Sequence, residues 1–144
     1  MNNIILDTGF WRAIFTNGDR YYDTAKQISD KYVDKSPYKI LVPYPTMYEL
    51  LRTEYVANKS ATEAIEMLLK KECFEMVCDV SYRDLALKLT LSDKKRNLSI
   101  VDNILRLMIE DTNLNVKGIV TFNVRDFADI CRLKGILLIN SATY

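Results

Sequence analysis

Four short stretches of the chain carry residues with the types and spacing for chemistry: Leu6-Asp7-Thr8-Gly9, Pro45-Thr46-Met47-Tyr48-Glu49, Leu98-Ser99-Ile100-Val101-Asp102 and Thr121-Phe122-Asn123-Val124-Arg125-Asp126-Phe127. Each puts a carboxylate or amide where an apolar run gives way to a helical pattern. In an open parallel sheet, ligands bind beyond the carboxyl ends of the strands, so four such junctions can converge on one cleft. Carboxylates packed in a poorly solvated cleft repel one another and hold protons more tightly. A bound divalent cation relieves that repulsion. The chain has no histidine, so the donors are oxygens, which suit a hard ion such as Mg²⁺ or Mn²⁺. The chemistry this points to is hydrolysis of a phosphodiester by metal-activated water.

Each junction also has a local reading. Ser99-x-x-Asp102 and Thr46-x-x-Glu49 match the spacing of a capping box. Asp7 can end a strand and cap a helix. Asn123 and Asp126 can hold a turn. The two readings coexist, because a carboxylate at a helix N-terminus can cap and ligate.

The elements that position these residues follow from hydrophobic spacing. Five short apolar runs read as strands: Ile4–Leu6, Lys39–Pro43, Phe74–Cys78, Gly118–Thr121 and Gly135–Ile139. Between them lie helical patterns at Gly9–Phe15, Tyr21–Val33, Pro45–Ala57, Thr62–Lys71, Ser81–Leu91 with Ser81 as cap, Ile100–Glu110 and a short turn at Phe127–Arg132. Tyr48, Leu51 and Tyr55 share one face of the Pro45 helix. Continuously apolar strands separated by helices predict a parallel sheet covered on both faces.

A length of 144 residues suits a single domain over 1–144, with enough chain for a real core. Twenty basic against 19 acidic residues leave a net charge of +1, so charge by itself selects no nucleic-acid partner; a local basic rim would have to do so. Candidates for that rim are Lys94, Lys95, Arg96 and Arg125, with Arg12 and Arg52 also near the cleft. The absence of histidine excludes Ser-His-Asp and Cys-His catalysis and histidine zinc sites. Cys73, Cys78 and Cys131 lack the spacing of a disulfide or zinc framework and read as buried thiols in a reducing compartment. There is no signal-peptide pattern and no run long enough to span a membrane, so the expected location is the cytoplasm. Tyrosine is abundant, and Tyr21, Tyr22, Tyr32, Tyr48 and Tyr55 recur on the early helices, as core or as a groove for a partner.

The four stretches, in their order and strand–helix context, resemble a PIN domain, in particular the small stand-alone kind that forms the toxin of VapC-type toxin–antitoxin pairs. The resemblance covers essentially the whole chain. It implies a three-layer α/β/α sandwich around a central, mainly parallel sheet of five strands. It also implies a metal-dependent endoribonuclease with Mg²⁺ or Mn²⁺, an RNA substrate, an antitoxin partner and a homodimer. Asp7, Glu49 and Asp102 would be the core acidic ligands and catalytic residues. Asn123 stands where the family often has a fourth acid, and Asp126 would compensate. Thr8 and Thr121 resemble the hydroxyl residues that orient these acids, and Ser99 supports Asp102. Three other readings remain open. One is a catalytically inactive PIN-like RNA- or protein-binding module, to which Asn123 gives weight. Another is a PIN nuclease that processes RNA without being a toxin. The third is an aspartyl-nucleophile phosphatase, whose second aspartate would stand at Gly9.

Overall fold

The computed structural model describes residues 2–34, 38–93 and 95–142. Five strands form one sheet: β1 (Asn3–Leu6), β2 (Lys39–Pro43), β3 (Phe74–Val77), β4 (Val116–Val120) and β5 (Leu137–Ile139), in the order β3-β2-β1-β4-β5. All pairings are parallel. β1 aligns Ile5 with Leu41 on one side and with Ile119 on the other. The chain builds outward from β1 through β2 to β3, then returns across the sheet to add β4 and β5 on the far side. Strand order therefore reverses between β1 and β4, and a cleft opens at the carboxyl ends of strands at such a point.

The strands alternate faces, and this alternation divides the core in two. Ile4, Leu6, Ile40, Val42 and Val120 pack under α1 (Thr8–Phe15), α2 (Tyr22–Ile28), α3 (Tyr44–Leu50) and α5 (Lys59–Leu69). Ile5, Leu41, Val116 and Ile119 pack under α6 (Val80–Ser92), α7 (Ile100–Glu110) and α8 (Val124–Lys134). β1 is buried on both faces, with Ile4, Ile5 and Leu6 at most 1% exposed, which is why its sequence is continuously apolar. The architecture is a three-layer α/β/α sandwich around a parallel sheet. Among the described residues, no helix is long and apolar enough to cross a membrane.

Several elements differ from the sequence expectation, each for a local physical reason. The Pro45–Ala57 pattern is two helices, α3 and α4 (Thr53–Val56), because Leu51 (ψ 52°) and the extended Arg52 leave helical geometry. Leu50 and Tyr55 contact the same core layer. Five residues apart on one straight helix, they would point about 140° apart, and the break lets both reach that layer. The expected face of Tyr48 and Leu51 is exposed, and Met47 and Leu50 are buried instead. The Tyr21–Val33 pattern is α2 followed by a π-helical turn, Ser29–Val33. α6 starts at Val80, with Asp79 rather than Ser81 at its N-cap position. α5 starts earlier than expected, because Asn58 accepts from the Ala61 N–H. Cys78 is exposed, so only Cys131 is a fully buried thiol. α8 is a full helix that ends where Gly135 takes φ 65°.

Gly135 is the C-terminal cap of α8 in the left-handed region, and a Cβ there would meet open space, so the penalty of a side chain is purely conformational. Gly135→Ala should lower stability by about 1 kcal/mol in urea unfolding. Gly18→Ala, with no such backbone constraint and no close neighbour, should be near neutral in the same measurement.

Candidate metal and active site

The carboxyl ends of β1 and β4 lie side by side, and the site grows from them. Asp7 extends the ladder by one bond, its N–H donating to the Val120 carbonyl (3.0 Å). It then turns into α1 as N-cap, with Oδ1 accepting from the Thr8 N–H (2.8 Å). Its other oxygen, Oδ2, accepts from the Thr121 hydroxyl (2.9 Å), and Thr121 Oγ1 in turn accepts from the Asn123 N–H (3.0 Å). This relay pins the turn after β4 to the end of β1, and each bond in it polarises the next. Asp7 is 8% exposed and Thr121 is fully buried.

Glu49 and Asp102 reach the same place by different routes. Glu49 lies in the second turn of α3, one turn later than expected, and Thr46-x-x-Glu49 is not a capping box. Thr46 donates to the Pro43 carbonyl (2.6 Å), whereas Glu49 Oε1 accepts from the Thr8 hydroxyl (2.6 Å). Thr8 thus touches both acids, Asp7 through its N–H and Glu49 through its hydroxyl. Asp102 does form the capping box: its N–H donates to Ser99 Oγ (3.0 Å), and its carboxylate accepts from the Ser99 N–H (3.3 Å).

Asp7, Thr8, Glu49, Ser99, Asp102 and Asn123 line one open cleft of about 500 Å³. Thr121 is buried beneath Asp7. Asp126, in the first turn of α8, is not among the lining residues, but its charge is near enough to act on Asp102. The expected basic rim is not assembled here. Arg96 is captured by Asp129 (2.8 Å), which Arg106 also holds (2.7 Å), and the two arginines further donate to the Arg125 and Asp126 carbonyls. Lys95 and Arg125 are exposed away from the cleft lining, and Lys94 lies outside the described residues. The cation on the cleft wall is Arg12, whose Nη2 donates to the Glu49 carbonyl (3.1 Å). Asp19, Tyr21 and Phe122 also line it. Their sequence signals were weak, since Asp19 reads as a turn residue, Tyr21 as core or part of a partner groove, and Phe122 has no pattern of its own.

The electrostatics are those of crowded acids. Burial pushes the Asp7 carboxyl up to about 6, against the lowering bonds from Thr121 and Thr8; the charges of Asp102 and Glu49 add to the rise. Asp102 is also raised, mainly by burial and further by Asp126 and Glu49. Among the described residues, no three carboxylates are already gathered into a coordination cluster. Each is held by its own hydrogen bond, to Thr121, Thr8 or Ser99. The donors are nonetheless all oxygen, converge on one cleft and include a buried carboxylate that resists ionisation alone. That set fits a hard divalent cation.

The sign of the pH dependence follows from Asp7. Its folded value of about 6 exceeds the ordinary value near 4, so between these limits the folded chain holds a proton that the unfolded chain has lost. Stability therefore falls as pH rises through that window, and the penalty is complete above it. In EDTA, the stability advantage of Asp7→Asn over the parent should widen between pH 4 and 6, by on the order of 3 kcal/mol, and then stay level. Urea unfolding across that range checks this; a gap independent of pH would contradict it.

No protein-family model matches the chain, and no curated protein matches it in sequence. Among solved structures, it is similar to VapC20 of Mycobacterium tuberculosis, a toxin that cleaves the sarcin–ricin loop. The likeness has a TM-score of 0.64 at 20% identity and covers 88% of this chain and 94% of that one. The fold of this chain is that of VapC20, a PIN-like α/β/α sandwich.

Proposed function

We propose that the chain is a divalent-metal-dependent endoribonuclease that hydrolyses RNA phosphodiester bonds, acting as the toxin of a toxin–antitoxin pair. The observation that carries this reading is the convergence of Asp7, Glu49 and Asp102 on one cleft at the strand-order reversal of a PIN fold. RNA as the substrate class is supported by the similarity to VapC20, which cleaves an RNA loop. Asp7, Glu49 and Asp102 would hold Mg²⁺ or Mn²⁺, with Asn123 offering a neutral oxygen and Asp126 adding negative charge that acts on Asp102. When bound, the ion supplies a Lewis acid that acidifies water and offsets charge on the phosphoryl oxygens.

The remaining work belongs to the chain. Thr121 and the Thr8 N–H fix both oxygens of Asp7, and the Thr8 hydroxyl fixes Glu49. These bonds orient the ligands before substrate arrives. The Ser99 capping box holds Asp102 at the start of a rigid helix. With no histidine, the proton released by the attacking water passes to a site carboxylate or to solvent. The arginine pair on Asp129 fixes the first turn of α8, and with it Asn123 and Asp126.

The same reading includes an antitoxin that blocks the cleft, a homodimer and a cytoplasmic location. Exposed apolar side chains such as Tyr48, Leu91 and Leu133 suit protein partners, and three free cysteines suit a reducing compartment. A second reading, a non-catalytic PIN-like binding module, is favoured by the neutral Asn123 and by carboxylates that stand apart as placed.

Purified protein with labelled RNA and Mn²⁺ should cut, and EDTA should stop it. Asp7→Asn and Asp102→Asn should abolish cutting while remaining folded. Thr121→Val, which leaves the ligands but removes a bond that orients one of them, should slow cleavage about 10–100-fold. Full activity of Asp7→Asn would overturn the nuclease reading, and Mn²⁺ binding with no cutting of any RNA would favour the binding module.

A further inference from the structure

We infer that the cleft contains a nucleotide subsite beside its carboxylates, in which Arg12 takes a backbone phosphate and the stacked rings of Tyr21 and Phe122 take a base. The choice of RNA as ligand rests on the nuclease reading. The subsite itself rests on three features of the cleft wall.

The first is a charge without a partner of opposite sign. Asp7, Asp19, Glu49 and Asp102 line the cleft, and the cation among the lining residues is Arg12. Among the described residues Arg12 makes no salt bridge. The hydrogen bond it makes goes to a neutral backbone carbonyl, that of Glu49. A guanidinium has five N–H donors in a planar fork, so most of its donors remain available. The fork matches two oxygens of a phosphate. An acidic cleft repels a nucleic-acid backbone, and a cation fixed at its wall offsets that repulsion where a phosphate must approach.

The second is an aromatic wall with no catalytic task. Tyr21 and Phe122 stack with ring centroids 4.3 Å apart and planes 2° from parallel. Both are half-buried: they pack on the core and line the cleft. The third is that the wall is built into the site. Phe122 directly follows Thr121, which holds Asp7. The Tyr21 N–H donates to Asp19 Oδ1 (2.8 Å), and the Arg20 guanidinium lies 4.9 Å over the Tyr21 ring. A nucleotide whose phosphate sits on Arg12 has this wall within the same cleft. Phe122 and Arg20 cover the two faces of Tyr21, so the base packs against Phe122 and the rim of the stacked pair, and such aromatic contacts form with little regard to sequence.

The test is binding of a fluorescein-labelled single-stranded RNA octamer, and of an abasic ribose-phosphate strand of equal length, to the full chain in EDTA. Arg12→Ala should weaken both strands and lower the slope of log affinity against log salt by about 0.7, the loss of one phosphate contact on a single strand. Tyr21→Leu and Phe122→Leu should weaken the RNA by roughly tenfold and leave the abasic strand unchanged. Thermal melting confirms that each variant is folded, and Tyr21→Leu carries the aromatic test if Phe122→Leu is not. Wild-type affinity and slope in Arg12→Ala, equal losses on both strands in the ring variants, or no RNA binding by the parent would each overturn the subsite. So would Arg12-dependent binding of a poly-glutamate peptide in place of RNA, which marks a protein partner. Mn²⁺ cleavage by the same protein separates the two claims. Cleavage without dependence on Arg12 removes the subsite and leaves the nuclease, whereas Arg12-dependent binding without cleavage does the reverse.

Discussion

A carboxylate at the end of the central strand must be either protonated or compensated, and much of the molecule is arranged around that requirement. Asp7 sits where β1 stops, against the buried end of β4, with almost no access to water. Two hydrogen bonds partly offset its desolvation, and the charges of Asp102 and Glu49 work against them. Such a group is poor material for stability and good material for binding a cation. The sequence tolerates the cost because the strands beneath it are well packed on both faces.

The topology explains why these acids meet. β1 is the strand from which the sheet grows in both directions, so its carboxyl end borders β2 on one side and β4 on the other. The helices that leave β1 and β2 bring Asp7 and Glu49 over one side of that border, and Thr8 ties them together. α7 and the turn after β4 bring Asp102 and Asn123 over the other side. Every donor sits at an element end or in an early helical turn, where backbone geometry is set by the sheet rather than by a loop. The Asp129–Arg106–Arg96 cluster extends the same logic to α8, because it binds backbone carbonyls as well as the carboxylate.

Much of this was legible in the sequence because it depends on local chemistry. The apolar runs mark the five strands to within two residues at each end, and Ser99-x-x-Asp102 marks a capping box that the structure contains. What was not legible depends on contacts across the fold. Thr46-x-x-Glu49 has the same spacing, but Glu49 bonds instead to Thr8, 41 positions earlier. The α3–α4 break follows from Leu50 and Tyr55 seeking one core layer, which a single periodic pattern does not reveal. Lys94-Lys95-Arg96 reads as a basic rim, yet Asp129 takes Arg96, and Arg12 becomes the cation at the cleft. Charge patterns name candidates, and tertiary pairing decides which of them remain free.

The central claim is that the convergent acids form a cation site organised by Asp7. Its most direct test is a calorimetric titration of Mn²⁺ into the full chain at pH 5 and pH 7.5, with Asp7→Asn alongside. The account predicts binding by the parent that is tighter at the higher pH, where less work is needed to remove the Asp7 proton, and loss of that binding in the variant. Binding of equal strength in Asp7→Asn, or no binding by the folded parent at either pH, would contradict it.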